Sequence, residues 1–193
     1  DNYKKNLKLL TDNHVYSKEM EHDACGVGVI ASTEGKKSRE IVEYGIEALK
    51  AVWHRGAVDA DGKTGDGAGI HVEIPKDFFI EKIEVTGHDY DNSEICVGMI
   101  FLPRNDYSSQ ESCKTIVESE LTKNNFSIYG WRQVPVNPKI LGEKAFQTMP
   151  EIIQVLFKPN DLNLIDKDLE RKIYETRKKI ENKAFELSLN NFY

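Results

Sequence analysis

The sequence predicts an α+β domain, and three observations carry that class. Short β-rich runs come in neighbouring pairs without strict βαβ alternation, at 70–74 with 95–102 and at 126–136 with 152–157. Three longer stretches repeat apolar residues at three- and four-residue spacing, the mark of helices packing one face on a sheet. The composition, 193 residues with 39% hydrophobic and 30% charged, suits one soluble globular domain with its own core.

In chain order, residues 1–24 are polar, with Leu7, Leu9 and Leu10 the one apolar cluster, and read as a leader outside the core. Cys25 to Ala31 alternates glycine with valine and isoleucine and predicts a first strand, followed by a turn over Ser32 to Lys37. Val42, Gly45, Ile46, Leu49, Val52 and Trp53 share one face of a helix from about Ser38, its predicted N-cap, to Trp53. His54 to Gly69 is a glycine-rich polar loop, of a length uncommon in mid-domain unless it carries function. Ile70 to Ile74 predicts a strand that Pro75 stops, and Phe78 to Ile80 anchor a short helical turn. Ile95 to Leu102 is nearly all apolar, which predicts a strand buried on both faces. Ser109 to Lys123 predicts a helix with Cys113, Ile116, Val117 and Leu121 inward. Strands follow at Phe126 to Val136 and Ile152 to Phe157, then a helix from an Asp166 cap to Leu187, and a strand-like start at Asn190 to Tyr193.

A net charge of -6 gives no electrostatic reason to expect nucleic acid or an anionic membrane. The basic positions of the last helix interleave with Glu170, Glu175, Glu181 and Glu186, as a solvated face does. No run of about 18 apolar residues and no signal-peptide core is present. Cys25, Cys96 and Cys113 form no CxxC pair and lack metal-site spacing, so neither a disulfide framework nor a metal centre is indicated. Cys96 and Cys113 lie within apolar patterns and read as structural.

Cys25 stands differently, between small residues and at the head of a strand. A buried structural cysteine is one reading. The other is an N-terminal nucleophile, in which the freed α-amino group takes the thiol proton because the two reference pKa values, roughly 8.5 and 7.7–8.0, lie close together. The rest of the chain favours the second. Cys25-Gly26-Val27-Gly28, then His54-Arg55-Gly56-Ala57, then Asp61-Gly62-Lys63-Thr64-Gly65-Asp66-Gly67-Ala68-Gly69, in this order and spacing, resemble the start of the glutamine amidotransferase domain of glutamate synthases. The first two blocks are shared with class II, N-terminal-nucleophile amidotransferases generally; the third points to glutamate synthases among them. Gly98 to Leu102, Gly130 to Pro135 and Arg171 to Ile180 also resemble that family.

The resemblance implies a four-layer αββα sandwich of the Ntn-hydrolase kind, truncated at its C-terminus, with 1–24 a propeptide and 25–193 the N-terminal part of the amidotransferase domain. It implies that Cys25 attacks the glutamine carboxamide and releases ammonia for a synthase domain. Arg55 and Gly56 would order the substrate pocket, with His54, Gly65, Asp66 and Gly67 in the supporting loop and no metal bound. His54 is not expected to act as a base, since this class uses the α-amino group. Glutamine and the remainder of the synthase chain are the implied partners. FMN, an iron–sulfur cluster and NAD(P)H or ferredoxin are implied for the full-length enzyme, and no cofactor for these residues. A cytoplasmic location fits, with a plastid as the alternative. Residues 1–193 alone are expected to be inactive, because Cys25 carries an amide here and the family's oxyanion-hole residues fall beyond Tyr193. Two other readings are a class II amidotransferase serving a different acceptor, and a non-catalytic Ntn-fold binding domain in which Cys25 is structural.

Overall fold

The computed structural model describes residues 2–13, 26–53, 56–189 and 191–193. The chain divides into two compact units, one of residues 1–57 with 67–70 and one of 58–66 with 71–193.

The first unit holds two helices, α1 (Asn2–Asp12) and α2 (Arg39–Ala51). Sequence periodicity assigned no element to α1. Its Leu and Lys residues favour helix even without a clean apolar stripe, and Thr11 and Asn13 side chains donate to the Leu7 and Leu9 carbonyls at its end. α2 begins where expected, with Ser38 Oγ accepting from the Ile41 N–H at 3.4 Å. The Ser32–Lys37 turn also forms, closed by Gly35 N–H to Ser32 O at 3.2 Å with Gly35 at φ 67°. The strand expected over Cys25 to Ala31 is not formed over 26–31, where the backbone has no regular structure. A strand is stable only when a neighbour pairs with it and one face is covered. Among the described residues neither holds, and Val27 and Val29 are 91% and 86% exposed.

The second unit contains α3 (Lys76–Val85), β1 (Cys96–Leu102), α4 (Tyr107–Lys123), β2 (Phe126–Gln133), α5 (Glu143–Thr148), β3 (Glu151–Pro159) and α6 (Asp166–Glu186), with a 3-10 turn at Pro138–Ile140. The strands form one antiparallel sheet in the order β1-β3-β2. Cys96, Ile100 and Leu102 of β1 and Ile153, Val155 and Phe157 of β3 pack against Cys113, Val117 and Leu121 of α4 and Leu169 of α6. On the opposite face Leu156 and Tyr129 meet Phe79 and Ile83 of α3. A bulge in β2 between Ile128 and Gly130 puts one extra residue into the strand. Ile128 and Trp131 therefore both turn toward α4 and α6, while Tyr129 turns toward α3.

The α+β class holds. Among the described residues the strands make a single sheet, and the second sheet of a four-layer sandwich is not among them. Ile70 to Ile74 forms no strand, having no ladder to join. β1 lies at one side of the sheet, with Cys96, Ile100 and Leu102 in one core and Val97 packed against the other, so both faces are covered except at Met99, which is exposed; β3, the last strand in sequence, is the central one. Asp166 is not the cap of α6. Ile165 holds that position without a side-chain bond, and Asp166 and Asp168 place negative charge in the first turn instead. The helical turn at Phe78 extends to three turns because Phe79 and Ile83 both reach the core. Tyr193 exchanges two backbone hydrogen bonds with Phe101 on β1, at 2.8 and 3.1 Å, so the strand-like start expected there pairs with the sheet.

Candidate active site

The glycine-rich block folds as a tight loop built around one carboxylate. Asp61 Oδ1 accepts from the Lys63 and Thr64 backbone N–H groups at 2.9 and 2.7 Å, and Oδ2 accepts from Thr64 Oγ1 at 2.5 Å. An aspartate followed by Gly-Lys-Thr suits this, because a short side chain can reach its own backbone two and three residues on. Gly62 supplies the left-handed residue of the turn at φ 68°. The loop closes through Asp59 N–H to Thr64 O at 2.7 Å and a bridge between Val58 and Gly65.

The loop docks on α5. Thr64 Oγ1 accepts from the Ala145 N–H at 3.4 Å, and Lys144 Nζ donates to Asp59 Oδ2 at 2.6 Å. The Thr64 hydroxyl, then the Lys63 and Thr64 N–H groups, with a further contribution from the Glu143 N–H, hold the Asp61 carboxyl well below the usual carboxylate range. Asp61 stays an acceptor and is no candidate proton donor near neutrality.

Of the predicted site residues, Cys25, His54 and Arg55 lie outside the described residues. Gly56 is exposed and donates its N–H to Trp53 O at 3.0 Å. Gly65 is half of the bridge that closes the loop, Asp66 follows it, and Gly67 has open space where a Cβ would stand. The structure thus adds Asp59, Asp61, Thr64 and Lys144 to the loop machinery. The Asp-x-x-Thr spacing was a signal for the loop's own bonds; nothing local pointed to its partners some eighty residues away.

Cys96 and Cys113 are both buried. Burial, with Glu94 and Glu170 adding to it, pushes the Cys96 thiol up to about 12, and burial raises that of Cys113 too. Neither supplies a thiolate near neutrality. Among the described residues no group of three His, Cys, Asp or Glu could hold a metal ion, and no helix is long and apolar enough to cross a membrane.

The chain belongs to the class II glutamine amidotransferases, whose family model matches residues 25–193 and so begins at Cys25. It is 50% identical over 191 residues to the glutamate synthase [NADPH] large chain of Azospirillum brasilense, covering 99% of this chain and 12% of that one. The ferredoxin-dependent glutamate synthase of Pyropia yezoensis is 39% identical over 176 residues, covering 90% of this chain and 11% of that one. Ferredoxin-dependent glutamate synthase 2, chloroplastic, of Arabidopsis thaliana is 41% identical over 162 residues, covering 83% and 10%. The chain therefore spans about an eighth or less of the length of these relatives.

Proposed function

We propose that the chain is the glutaminase portion of a glutamate synthase, with Cys25 as nucleophile once residues 1–24 are removed. The observation that carries this is the start of the family match at Cys25, joined to the burial of the two other cysteines. An alignment of 191 of the 193 residues with the Azospirillum enzyme includes most of the segment before Cys25, while the family match leaves that segment out.

Cleavage before Cys25 turns its amide into an α-amine able to accept the thiol proton. The Cys25 sulfur then attacks the side-chain carbonyl carbon of glutamine. The carbon–nitrogen bond breaks, ammonia leaves with the proton the amine delivers, and a γ-glutamyl thioester remains. Water, deprotonated by the same amine, hydrolyses the thioester to glutamate and frees the thiol. Arg55 and Gly56 order the glutamine pocket, with His54, Gly65, Asp66 and Gly67 supporting it. Ammonia passes to a synthase domain outside these residues, where the resemblance puts FMN, an iron–sulfur cluster and electrons from NAD(P)H or ferredoxin. Cys25, Cys96 and Cys113 form no CxxC pair and so do not match the ligand spacing of such a cluster. The enzyme works in the cytoplasm, or in a plastid as the chloroplast relative does.

The test is mass spectrometry of the processed, full-length chain after reaction with a glutamine-analogue electrophile. Selective labelling of Cys25, lost when residues 1–24 are retained, is the expected result. Glutamine turnover with the leader attached would sink the role given to the α-amine.

A further inference from the structure

Among the described arginines, Arg39, Arg132, Arg171 and Arg177 each donate to a side-chain oxygen, of Glu43, Gln154, Glu175 and Glu181 in turn. Arg104 differs. Its guanidinium meets no oxygen acceptor among the described residues and lies instead against the ring of Phe146 on α5, with Cζ 4.7 Å from the ring centroid. A ring face attracts the cation but leaves its planar fork of five N–H donors unsatisfied. The backbone beneath that side chain is fixed. Pro103 follows the last residue of β1, and the chain turns over 103–106 into α4. Gln110 of α4, itself buried, donates from Nε2 to the Pro103 and Arg104 carbonyls at 2.8 and 3.3 Å. Asp106 accepts from the Ser109 N–H and Oγ at 3.0 and 2.6 Å, so its carboxylate is engaged at the start of the helix.

Arg104, half-buried, stands on a cleft of about 800 Å³ between this turn and residues 147–150 and 191–193. That volume lies within the range of small-molecule sites, about 300–1,000 Å³. Phe101, Pro103 and Met149 give the cleft apolar walls, and Asn105, Gln147 and Thr148 line it with amide and hydroxyl groups. Arg104 and Asp106 are its charged side chains. An arginine fork matches two coplanar oxygens of one anion. A monocarboxylate would balance the Arg104 charge, whereas a phosphate dianion would leave excess negative charge beside Asp106. We propose that this cleft is a binding site for a small monocarboxylate that carries an amide or hydroxyl group, its carboxylate paired with the Arg104 fork and its second polar group met by Asn105, Gln147 or Thr148. The site lies wholly within the second unit and uses no part of the Cys25 chemistry, so it is independent of the glutaminase reading.

The test is modification of arginines by phenylglyoxal in the full-length enzyme, read residue by residue by peptide mass spectrometry, with N-acetylglycine as the probe. At about ten times its Kd the probe leaves about a tenth of the sites free, so Arg104 should be modified about tenfold more slowly. Arg171, exposed and paired with Glu175, should keep its rate and so reports any general effect of the probe on the reagent. N-acetylglycinamide, the uncharged analogue, should give no protection. Acetate, which has the carboxylate alone, should need about tenfold more for the same effect, the worth of roughly one further hydrogen bond. Inorganic phosphate at equal ionic strength should protect less than N-acetylglycine. Protection by acetate, N-acetylglycinamide or phosphate equal to that by N-acetylglycine overturns the proposal. So does equal slowing of Arg171, and so does an Arg104 that phenylglyoxal does not reach in the free enzyme or that N-acetylglycine leaves unprotected.

Discussion

Leu156 is the point at which the sheet of the second unit is most exposed to a simple energetic test. It is fully buried in the central strand β3, opposite Val97 of β1 and Gly130 of β2, and it packs with Phe79, Ile83, Ile95 and Tyr129. Leu156→Ala removes three carbons, about 2.4 kcal/mol at about 0.8 kcal/mol each, and the cavity left against α3 raises the loss to about 3 kcal/mol. With a urea m-value of about 2 kcal/mol/M, the midpoint should fall by about 1.5 M. The chain has two tryptophans, Trp53 and Trp131. Trp131 packs against the core of the second unit and donates its indole N–H to Glu118 at 2.7 Å. In a Trp53→Phe background, Trp131 fluorescence therefore reports that unit alone. Leu162→Ala, at a site 73% exposed, is the control and should change stability by less than about 0.5 kcal/mol. A midpoint for Leu156→Ala indistinguishable from the control would refute the placement of Leu156 in a two-sided core.

Three further outcomes follow from the packing of the second unit. Gly98→Ala brings a Cβ to 2.8 Å from Val155 Cγ1, a side chain that is itself 1% exposed, and should cost about 1–3 kcal/mol; adding Val155→Ala should cost less than the sum of the two, and strict additivity in urea unfolding would count against the contact. Cys96, its thiol pushed up to about 12 by burial, should stay unmodified by iodoacetamide at about pH 8 and react once urea unfolds the chain; labelling at the unfolded rate in native conditions would contradict its burial. Glu120, buried on α4, accepts from Lys183 Nζ at 2.5 Å and from Lys123 Nζ at 3.3 Å, and its carboxyl is lowered by the Lys183 bond first. Its stabilising share is complete above the unfolded glutamate pKa of about 4.3 and is lost as pH falls through the lowered folded value. Glu120→Gln should therefore flatten the decline of the urea midpoint in acid, and an unchanged slope would show that the bond contributes nothing.

How much of this was legible in the sequence depends on how far apart the cooperating residues lie. Periodicity placed α2, α4, α6 and all three strands to within a few residues, because a repeating apolar face is a property of one window of chain. It gave Cys113 an inward position, and the structure buries it completely. Local signals failed where a neighbour decides the outcome. The Gly26–Ala31 run has strand composition yet no partner among the described residues, and the apolar run of β1 leaves Met99 exposed. Asp166 has a capping side chain but Ile165 occupies the cap.

The sequence by itself determined the α+β class, the family through three spaced blocks, and Cys25 as the cysteine the family match begins on. Only the tertiary structure decided that the last strand in sequence sits in the middle of the sheet. It alone decided that the Asp61 loop rests on a six-residue helix inserted between β2 and β3. The physical reason is the same in both cases. A window of chain fixes which side of an element is apolar, but it does not contain the surface across a gap of eighty residues that the element will meet, and strand order and the fit of loop to helix are settled by that surface.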